Sequence, residues 1–377
     1  MRKPRVVIDA SSLMFDKPLC GISRTTLELI RALEALDGLP VELHLFGQRL
    51  RGDRLQRYDF ESPAHYLPLP RWHAFDWIRS ALPSVEVLTR YDLLHIPHNC
   101  SPVHRPERAV VTLHDAMFAV YAEQHLHKKS DVEDFLHLAR HCCRIITCSH
   151  NSKNDLITAG QIDPGKIHVI PWGYDENVFY PMDDLDRTRS ELRRRFQLDR
   201  PYFLSVSCDV GRKNSPALLT QFLKLAERGC THDLVMVWRH PPEYVTAMVE
   251  ANPEGQKVHL LPFVSDSDLR LLYCGATAML FPSKYEGFGL PVLEAMACGT
   301  PVVTCNAASL PEVGGDAAIY VQPGADAALY DVMEAFLNNG HDRQSLRQKS
   351  LVQAAEFSWE RTARETLQVY AGALGIS

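Results

Sequence analysis

Short apolar runs rich in β-branched residues alternate with helix-like segments along the chain. This pattern predicts parallel sheets whose strands are joined by crossover helices. Two series of strands are expected. The first comprises Arg5–Asp9, Val41–Phe46, Asp92–Ile96, Val110–His114, Arg144–Cys148 and His168–Ile170. The second comprises Tyr202–Ser207, Asp233–Trp238, Lys257–Leu261, Ala278–Phe281, Pro301–Thr304 and Ala317–Val321.

Proline and glycine separate the two series, in the string Pro171-Trp172-Gly173-Tyr174-Asp175 and again at Pro181. Such residues end one sheet before the next begins. A basic helix over Arg187–Phe196 follows, and a closing helix over about Ser358–Ala373 begins with a serine cap. At 377 residues the chain is long enough for two α/β domains.

Composition narrows the functional class. The net charge of −6 and the isoelectric point near 6.3 argue against a protein that wraps a polyanion, so no nucleic-acid partner is expected. The apolar run Val6–Ile8 stops at Asp9, too short for a signal peptide, and no uncharged run matches a membrane span. Ten cysteines without a Cys-x2-Cys pair indicate a reduced, cytosolic protein without structural zinc.

The segment from Glu286 to Glu294 carries the strongest chemical signal. Gly287 and Gly289 allow a sharp turn and close approach of backbone N–H groups to an anion, and Pro291 suits a first helical turn. A helix start favours phosphate. Two glutamates flank this turn, so their carboxylates could hold hydroxyls at both ends of a nucleotide sugar. A bare Glu-x7-Glu spacing is also typical of an ordinary strand–turn–helix junction.

The surrounding string resolves that choice. Ser283, two residues, Glu-Gly-Phe-Gly-Leu-Pro, a glutamate and then Cys298-Gly299-Thr300-Pro301-Val302-Val303 closely resemble the signature of retaining glycosyltransferases of family GT4. The resemblance implies the GT-B fold, an α/β architecture of two Rossmann-like parallel-sheet domains facing across a cleft. The implied boundaries are residues 1–175 for the acceptor side, 176–357 for the nucleotide-sugar donor, and 358–377 for a helix crossing back to the first domain.

The resemblance also assigns loop residues of the first domain. Gly21-Ile22-Ser23-Arg24 resembles the family's first glycine loop, whose backbone approaches the donor phosphates. In the family a histidine faces the transferring sugar, and the pair His114-Asp115 matches the position of that histidine. Outside this context, a histidine at a strand end is more often structural.

Arg212 and Lys213 resemble the paired cations that grip the donor diphosphate. Cations are needed there because breaking the sugar–phosphate bond leaves negative charge on the nucleoside diphosphate. One departure precedes them, since relatives usually have a glycine where Ser207 or Cys208 stands. Arg239 stands where relatives often have another glycine. Its position fits a contact with the nucleotide and an ordinary surface residue equally well.

The remaining roles follow from the same resemblance. Glu286 would hold the sugar hydroxyls and Glu294 the ribose hydroxyls, while the amides of Gly287, Phe288, Gly289 and Leu290 position the diphosphate. No covalent nucleophile stands out, which favours same-face attack by the acceptor. The strings Asp184-Leu185-Asp186 and Asp266-Ser267-Asp268 could suggest a metal, but helix capping explains both. No metal or other cofactor is expected.

The opening Ile8–Leu13 with Gly21–Thr26 resembles the bacterial O-antigen and polysaccharide branch, often mannosyl- or rhamnosyltransferases that use GDP-sugars. The expected acceptor is a glycan on a polyprenyl diphosphate at the cytoplasmic membrane face. The segment Leu67–Arg79 interleaves aromatics with arginine, which fits either a peripheral membrane contact or a packed helix. A nucleotide-sugar epimerase, a sugar phosphorylase and a non-catalytic donor-binding subunit remain alternatives.

Overall fold

The structure is a computed structural model that describes residues 2–14, 21–48, 55–67, 89–98, 103–117, 129–209 and 211–376. The chain divides into two compact units. The first contains residues 1–173 and 358–377, and the second contains residues 174–357.

The first unit contains a seven-stranded, wholly parallel sheet in the order β3-β2-β1-β4-β5-β6-β7. Its strands are β1 Arg5–Asp9, β2 Glu42–Gln48, β3 Ala64–Leu67, β4 Leu93–Ile96, β5 Ala109–Thr112, β6 Arg144–Thr147 and β7 Ile167–Val169. The central strands β4 and β5 are buried along their whole length. Strands covered on both faces read as continuous apolar runs, which is why the sequence predicted them.

Strand β3 was not among the predicted strands. It lies at the sheet edge and pairs only with β2, with His65 opposite Phe46. Its sequence Ala-His-Tyr-Leu has no β-branched residue, so the pattern used to find the other strands was absent. The observed first sheet therefore has one strand more than the sequence indicated.

Within the described residues of the first unit, three α-helices connect these strands: α1 Gly21–Glu34, α2 Lys129–His141 and α3 His150–Thr158. Helix α1 buries Leu27, Ile30 and Leu33, which recur at helical spacing. Ser149 caps α3 by accepting a hydrogen bond from the Ser152 N–H. The apolar stripe and the cap explain why these segments are helical.

The second unit contains a six-stranded parallel sheet in the order β10-β9-β8-β11-β12-β13. Its strands are β8 Tyr202–Ser205, β9 Asp233–Val237, β10 Val258–Leu261, β11 Ala278–Phe281, β12 Val302–Cys305 and β13 Ala318–Val321. Its helices are α4 Leu185–Phe196, α5 Ser215–Glu227, α6 Glu243–Ala251, α7 Asp266–Gly275, α8 Leu290–Ala297, α9 Leu310–Gly314, α10 Ala327–Leu337 and α11 Arg343–Ala354. The prediction of two parallel-sheet α/β domains is confirmed.

The terminal helix, α12 Trp359–Leu374, packs within the first unit against α1. Ser358 caps it by accepting from the Arg361 N–H, as its sequence predicted. A Cβ on Gly173 would lie 2.2 Å from the Trp359 backbone nitrogen, so only glycine allows this close approach. Deeper in the unit, the Tyr370 hydroxyl lies 2.5 Å from His95 Nδ1, and His95 Nε2 lies 2.8 Å from Thr112 Oγ1. These contacts fix the helix to β4 and β5.

Within the described ranges, no helix has both the length and the apolarity required to cross a bilayer. Residues 68–79, most of the segment predicted to make either a membrane contact or a packed helix, lie outside the described residues.

Candidate active site

Strand β8 marks the reversal point of the second sheet. It pairs with β9 on one side and with β11 on the other. In open parallel sheets, ligands bind beyond the carboxyl ends of the strands at such a reversal. The loops that follow β8 and β11 contain Arg212, Lys213, Glu286 and Gly289, so the fold brings these predicted residues to one edge.

Direct contacts join the two loops. The Lys284 N–H donates to the Arg212 carbonyl at 2.7 Å. Arg212 Nη1 donates to the Tyr285 carbonyl at 2.8 Å and forms an ion pair with Glu286 Oε1 at 2.7 Å. The Ser283 hydroxyl also donates to Glu286 Oε1, at 2.8 Å. Arg212 and Glu286 therefore form one connected polar group in this structure.

Lys213 adds a second positive charge beside this group. Its Nζ lies 5.6 Å from the centre of the Phe281 ring, and its side chain is half-buried. Burial lowers the pKa of Lys213, and the nearby Glu286 carboxylate opposes that effect. The Asp209 carboxylate acts on Lys213 in the same direction as Glu286, and a partly desolvated ammonium of this kind is suited to receive a phosphate.

The turn after Glu286 requires glycine at one defined position. Gly289 has φ of +117°, a conformation that side chains rarely adopt, and it caps α8. At the start of α8, Pro291 has no N–H, and the Val292 and Leu293 N–H groups donate to the Gly289 carbonyl, so the Leu290 N–H is the donor of this first turn without an intrahelical partner. The Ser309 hydroxyl lies within hydrogen-bond distance of the Glu286 carbonyl, at 2.9 Å, and of the Phe288 carbonyl, at 2.7 Å. This contact holds the turn in place.

Phe288 has a buried side chain that packs against Phe357, with ring centres 5.9 Å apart. Only its backbone can therefore face a ligand. Gly287, between the glutamate and this phenylalanine, is partly buried. The use of amides in this turn stays a prediction.

Glu294 lies in the second turn of α8 and is buried. The hydroxyl of Tyr273, itself fully buried, donates to Glu294 Oε2 at 3.2 Å. The two glutamates thus differ in environment. Glu286 is held by an arginine and a serine, whereas Glu294 is held by a phenol in the core.

Sequence reasoning missed the residues that hold this site together. Tyr273, Ser283 and Ser309 fix Glu294, Glu286 and the glycine turn respectively. Ser283 is part of the string that resembles the family signature, but a serine at this position does not by itself indicate a contact with Glu286. Tyr273 and Ser309 lie about twenty residues from their partners, where sequence spacing carries no signal.

The first unit presents its own polar residues at the carboxyl ends of its strands. His114 follows β5 and is buried, with Nε2 donating to the Pro97 carbonyl at 3.0 Å. Burial lowers the pKa of His114, so the ring is neutral near pH 7. The adjacent Asp115 accepts from the Met117 N–H at 3.1 Å. His114 therefore presents a neutral imidazole at this edge.

Gly21 is the first residue of α1 and is exposed. A Cβ there would meet nothing within 4 Å among the described residues. The surrounding described chain does not require glycine at this position. Residues 15–20 of the preceding loop lie outside the described residues.

Asp9 and His98 form a polar pair that the sequence analysis did not identify. Asp9 is the last residue of β1, His98 lies two residues after the neighbouring strand β4, and His98 Nε2 lies 3.2 Å from Asp9 Oδ2. Asp9 Oδ1 also accepts from the Ser11 N–H at 2.9 Å. A signal was available, because Asp9 ends one predicted strand of a parallel sheet and His98 lies two residues beyond another.

Comparisons with known proteins identify the family of the chain. Residues 20–178 match the model of Glycosyltransferase Family 4, and residues 186–352 match that of Glycosyl transferases group 1. An O-antigen chain mannosyltransferase B of Escherichia coli is 30% identical over 94% of this chain and 96% of its own length. The chain belongs to glycosyltransferase family 4. The assignment made from its sequence is confirmed.

Two further relatives extend the comparison. The serotype-specific mannosyltransferase WbdA of Escherichia coli is 27% identical over 70% of this chain, which spans 33% of that longer protein. The sucrose-phosphate synthase of Thermosynechococcus elongatus, a solved structure, superposes with a TM-score of 0.75 at 19% identity and covers 100% of both chains. The GT-B fold of this family 4 glycosyltransferase is thereby established.

The capping interpretation of the two Asp-x-Asp strings is half right. Asp184 caps α4 by accepting from the Arg187 N–H at 2.8 Å. At α7, however, Ser265 is the cap and accepts from the Asp268 N–H, while Asp266 and Asp268 lie in the first turn. Serine is as good a cap as aspartate because its hydroxyl can also accept a hydrogen bond from an N–H group in the first turn of the helix. Across the described part of the chain, no three His, Cys, Asp or Glu residues cluster as a metal site would require.

Arg239, for which two interpretations were open, follows β9 and is exposed, as is His240. Their position at the carboxyl end of the sheet is compatible with either interpretation. The eight cysteines in the described ranges are all free thiols, and Cys142 and Cys148 are buried as small apolar side chains.

Proposed function

We propose that this glycosyltransferase moves mannose from GDP-mannose to a hydroxyl of a growing glycan in the synthesis of a bacterial surface polysaccharide, such as a lipopolysaccharide O-antigen. The single observation that carries the proposal is the group formed by Arg212, Glu286 and the glycine turn before α8. The choice of mannose rests on the similarity to an O-antigen mannosyltransferase over almost the whole chain.

The donor is proposed to lie along the loops after β8 and β11. Arg212 and Lys213 would bind the diphosphate, together with the amides from Gly287 to Leu290. Glu294, held by Tyr273, would accept hydrogen bonds from the ribose hydroxyls. Glu286 would accept hydrogen bonds from hydroxyls of the sugar. Arg212 would then interact with both the diphosphate and the Glu286 carboxylate.

The reaction is proposed to retain configuration at the anomeric carbon. The bond from that carbon to the diphosphate oxygen breaks, and its electron pair stays on the leaving group. Arg212 and Lys213 are placed to stabilise that charge, which is larger in the transition state than in the bound donor. The acceptor hydroxyl forms the new bond on the same face, and its proton passes to the departing phosphate oxygen.

The first unit is proposed to bind the acceptor, a glycan linked to a polyprenyl diphosphate. Gly21 and Asp115 are proposed to contact the donor, and His114 is proposed to contact the transferred sugar, as the family resemblance implies. The neutral state of His114 suits it to exchange hydrogen bonds with sugar hydroxyls. Such an acceptor would place the enzyme at the cytoplasmic face of the membrane.

Thermal unfolding with a set of nucleotides tests the donor. We expect GDP and GDP-mannose to raise the unfolding temperature, while UDP, ADP and their sugars leave it unchanged. A ligand at 100 times its dissociation constant adds about 2.7 kcal/mol to the unfolding free energy. Stabilisation by UDP in place of GDP would refute the proposed base.

Transfer itself is tested with GDP-mannose and a synthetic octyl α-D-mannopyranoside. The product's anomeric configuration, read from its one-bond carbon–proton coupling, should be α. Because paired cations oppose the diphosphate charge, activity should persist in EDTA. Loss of transfer in EDTA with rescue by Mg²⁺ or Mn²⁺ would contradict metal independence and leave the donor assignment standing.

A further inference from the structure

Four arginines surround a cavity at the amino end of the first sheet. The cavity has a volume of about 310 Å³, and its lining includes Tyr91, Asp92 and the arginines Arg2, Arg90, Arg105 and Arg108. Arg2 precedes β1, Arg90 precedes β4, and the other two precede β5 or end the turn before it. Strands β1, β4 and β5 are adjacent and parallel. The cavity thus lies at the opposite edge of the sheet from Asp9 and His114.

The charge of this cavity is strongly positive. Its lining residues include four arginines and one aspartate, Asp92, whose formal charges sum to +3 in a chain whose net charge is −6. The Asp92 carboxylate already accepts from the Arg5 N–H at 2.7 Å. Within the described ranges, none of the four arginine side chains pairs with a carboxylate, whereas arginines such as Arg193, Arg361 and Arg364 do.

The loop that carries Arg90 is well held. Tyr91 and Thr89 are buried, and the Arg5 Nη1 donates to the Arg90 carbonyl at 3.4 Å. Unpaired like charges held close together repel one another, and a bound anion removes that repulsion. The planar guanidinium fork matches phosphate oxygens and can bind two of them at once.

We propose that this cavity binds a phosphate-bearing anion, either a phosphomonoester or a diphosphate, at a site separate from the donor loops of the second unit. Its volume is at the lower end of the range for small-molecule sites, about 300–1,000 Å³. A phosphate group therefore suits it better than a whole nucleotide sugar. The anion can be the head group of a lipid or a free phosphate compound, and both share the same chemistry.

Calorimetric titration with pyrophosphate tests the site. Since pyrophosphate also resembles part of the donor, the titration uses the full chain carrying Arg212→Ala and Lys213→Ala. Adding Arg105→Gln and Arg108→Gln to that protein should weaken binding about tenfold or more, because two charged contacts are lost. Adding Arg361→Gln and Arg364→Gln instead removes the same charge from the same unit and should leave the affinity unchanged.

Equal pyrophosphate affinity with and without Arg105 and Arg108 would overturn the proposal. All four substituted arginines have their side chains at the surface, and circular dichroism checks that each variant is folded. Because the donor loops are already inactivated in every protein compared, this outcome is independent of the proposed reaction.

Sedimentation with vesicles distinguishes the two sources of the anion. If the source is a lipid, vesicles of phosphatidic acid, whose head group is a phosphomonoester, in phosphatidylcholine should retain the protein, pure phosphatidylcholine should not, and pyrophosphate should release it. Binding of pyrophosphate without vesicle retention identifies a free phosphate compound. Vesicle retention that is unaffected by the Arg105 and Arg108 substitutions, together with unchanged pyrophosphate affinity, rejects the site for both sources.

Discussion

The two glutamates of the donor loops should respond differently to neutralisation, and GDP binding measures the difference. GDP contains the ribose and the diphosphate but lacks the sugar. If Glu294 binds ribose, Glu294→Gln should weaken the binding of GDP. If Glu286 binds the sugar, Glu286→Gln should not, although it should lower kcat.

The structure sets the size of each effect. Glu294 is buried and held by Tyr273 at 3.2 Å, so little side-chain freedom is lost on binding. A hydrogen bond to a charged group contributes about 1.5–3 kcal/mol, which corresponds to roughly 10- to 150-fold in dissociation constant. Glu286 competes with the diphosphate for Arg212, to which it is paired at 2.7 Å. Its neutralisation frees the guanidinium, so Glu286→Gln should bind GDP at least as tightly as the wild type.

Isothermal titration calorimetry with GDP is the assay. Tyr273→Phe keeps both carboxylates and removes only the phenol contact, so it should weaken GDP by about 0.5–1.5 kcal/mol. Tyr320→Phe is the matched control, because its hydroxyl donates to the Gly315 carbonyl at 2.8 Å, away from both glutamates. Equal weakening by the two Glu→Gln substitutions, or the reverse order, would show that the proposed donor orientation is wrong.

Two further predictions concern charge. Arg212→Ala and Lys213→Ala should each lower kcat by about 10²–10³-fold in steady-state assays. Because burial lowers the pKa of Lys213, kcat/KM should fall at a lower pH than it would if this lysine were exposed. Lys213→Arg should move that fall to higher pH, since arginine stays charged. Burial lowers the pKa of His95 from 6.5 to about 3, so the unfolded state binds this proton first as pH falls. His95 alone should therefore lower the unfolding free energy by about 1.4 kcal/mol for each pH unit of fall between those values. Urea unfolding of His95→Gln across the same range should show a shallower decline, and parallel curves would contradict the assignment.

The sequence predicted most of the fold because the central strands are buried on both faces. The bounds of β1, Arg5–Asp9, and of β11, Ala278–Phe281, were predicted correctly. Edge strand β3 was missed, since a strand covered less completely needs no continuous apolar run. At α7 the sequence predicts aspartate caps, but Ser265 performs that role.

The site was predictable to the level of loops. Parallel strands place their following loops at one edge, so Arg212 and Glu286 could be expected near each other. The contact that holds Glu294 could not, because Tyr273 lies on a different helix, α7, and its reach depends on how α7 and α8 pack. Helix packing of this kind is fixed by three-dimensional shape rather than by spacing along the chain.

Ser207 shows how the structure resolves an ambiguity that the sequence left open. The family resemblance implies a glycine where Ser207 or Cys208 stands, and of these two residues only Ser207 has a left-handed backbone, with φ of 52°. That conformation costs a residue with a Cβ roughly 1–2 kcal/mol, while glycine loses about 0.5–1 kcal/mol more through backbone entropy. Ser207→Gly should therefore raise the unfolding free energy by up to about 1 kcal/mol, whereas Ser207→Ala keeps the Cβ and should not raise it. Equal stability of the two variants in urea unfolding would mean that the left-handed backbone is not what favours glycine at this position.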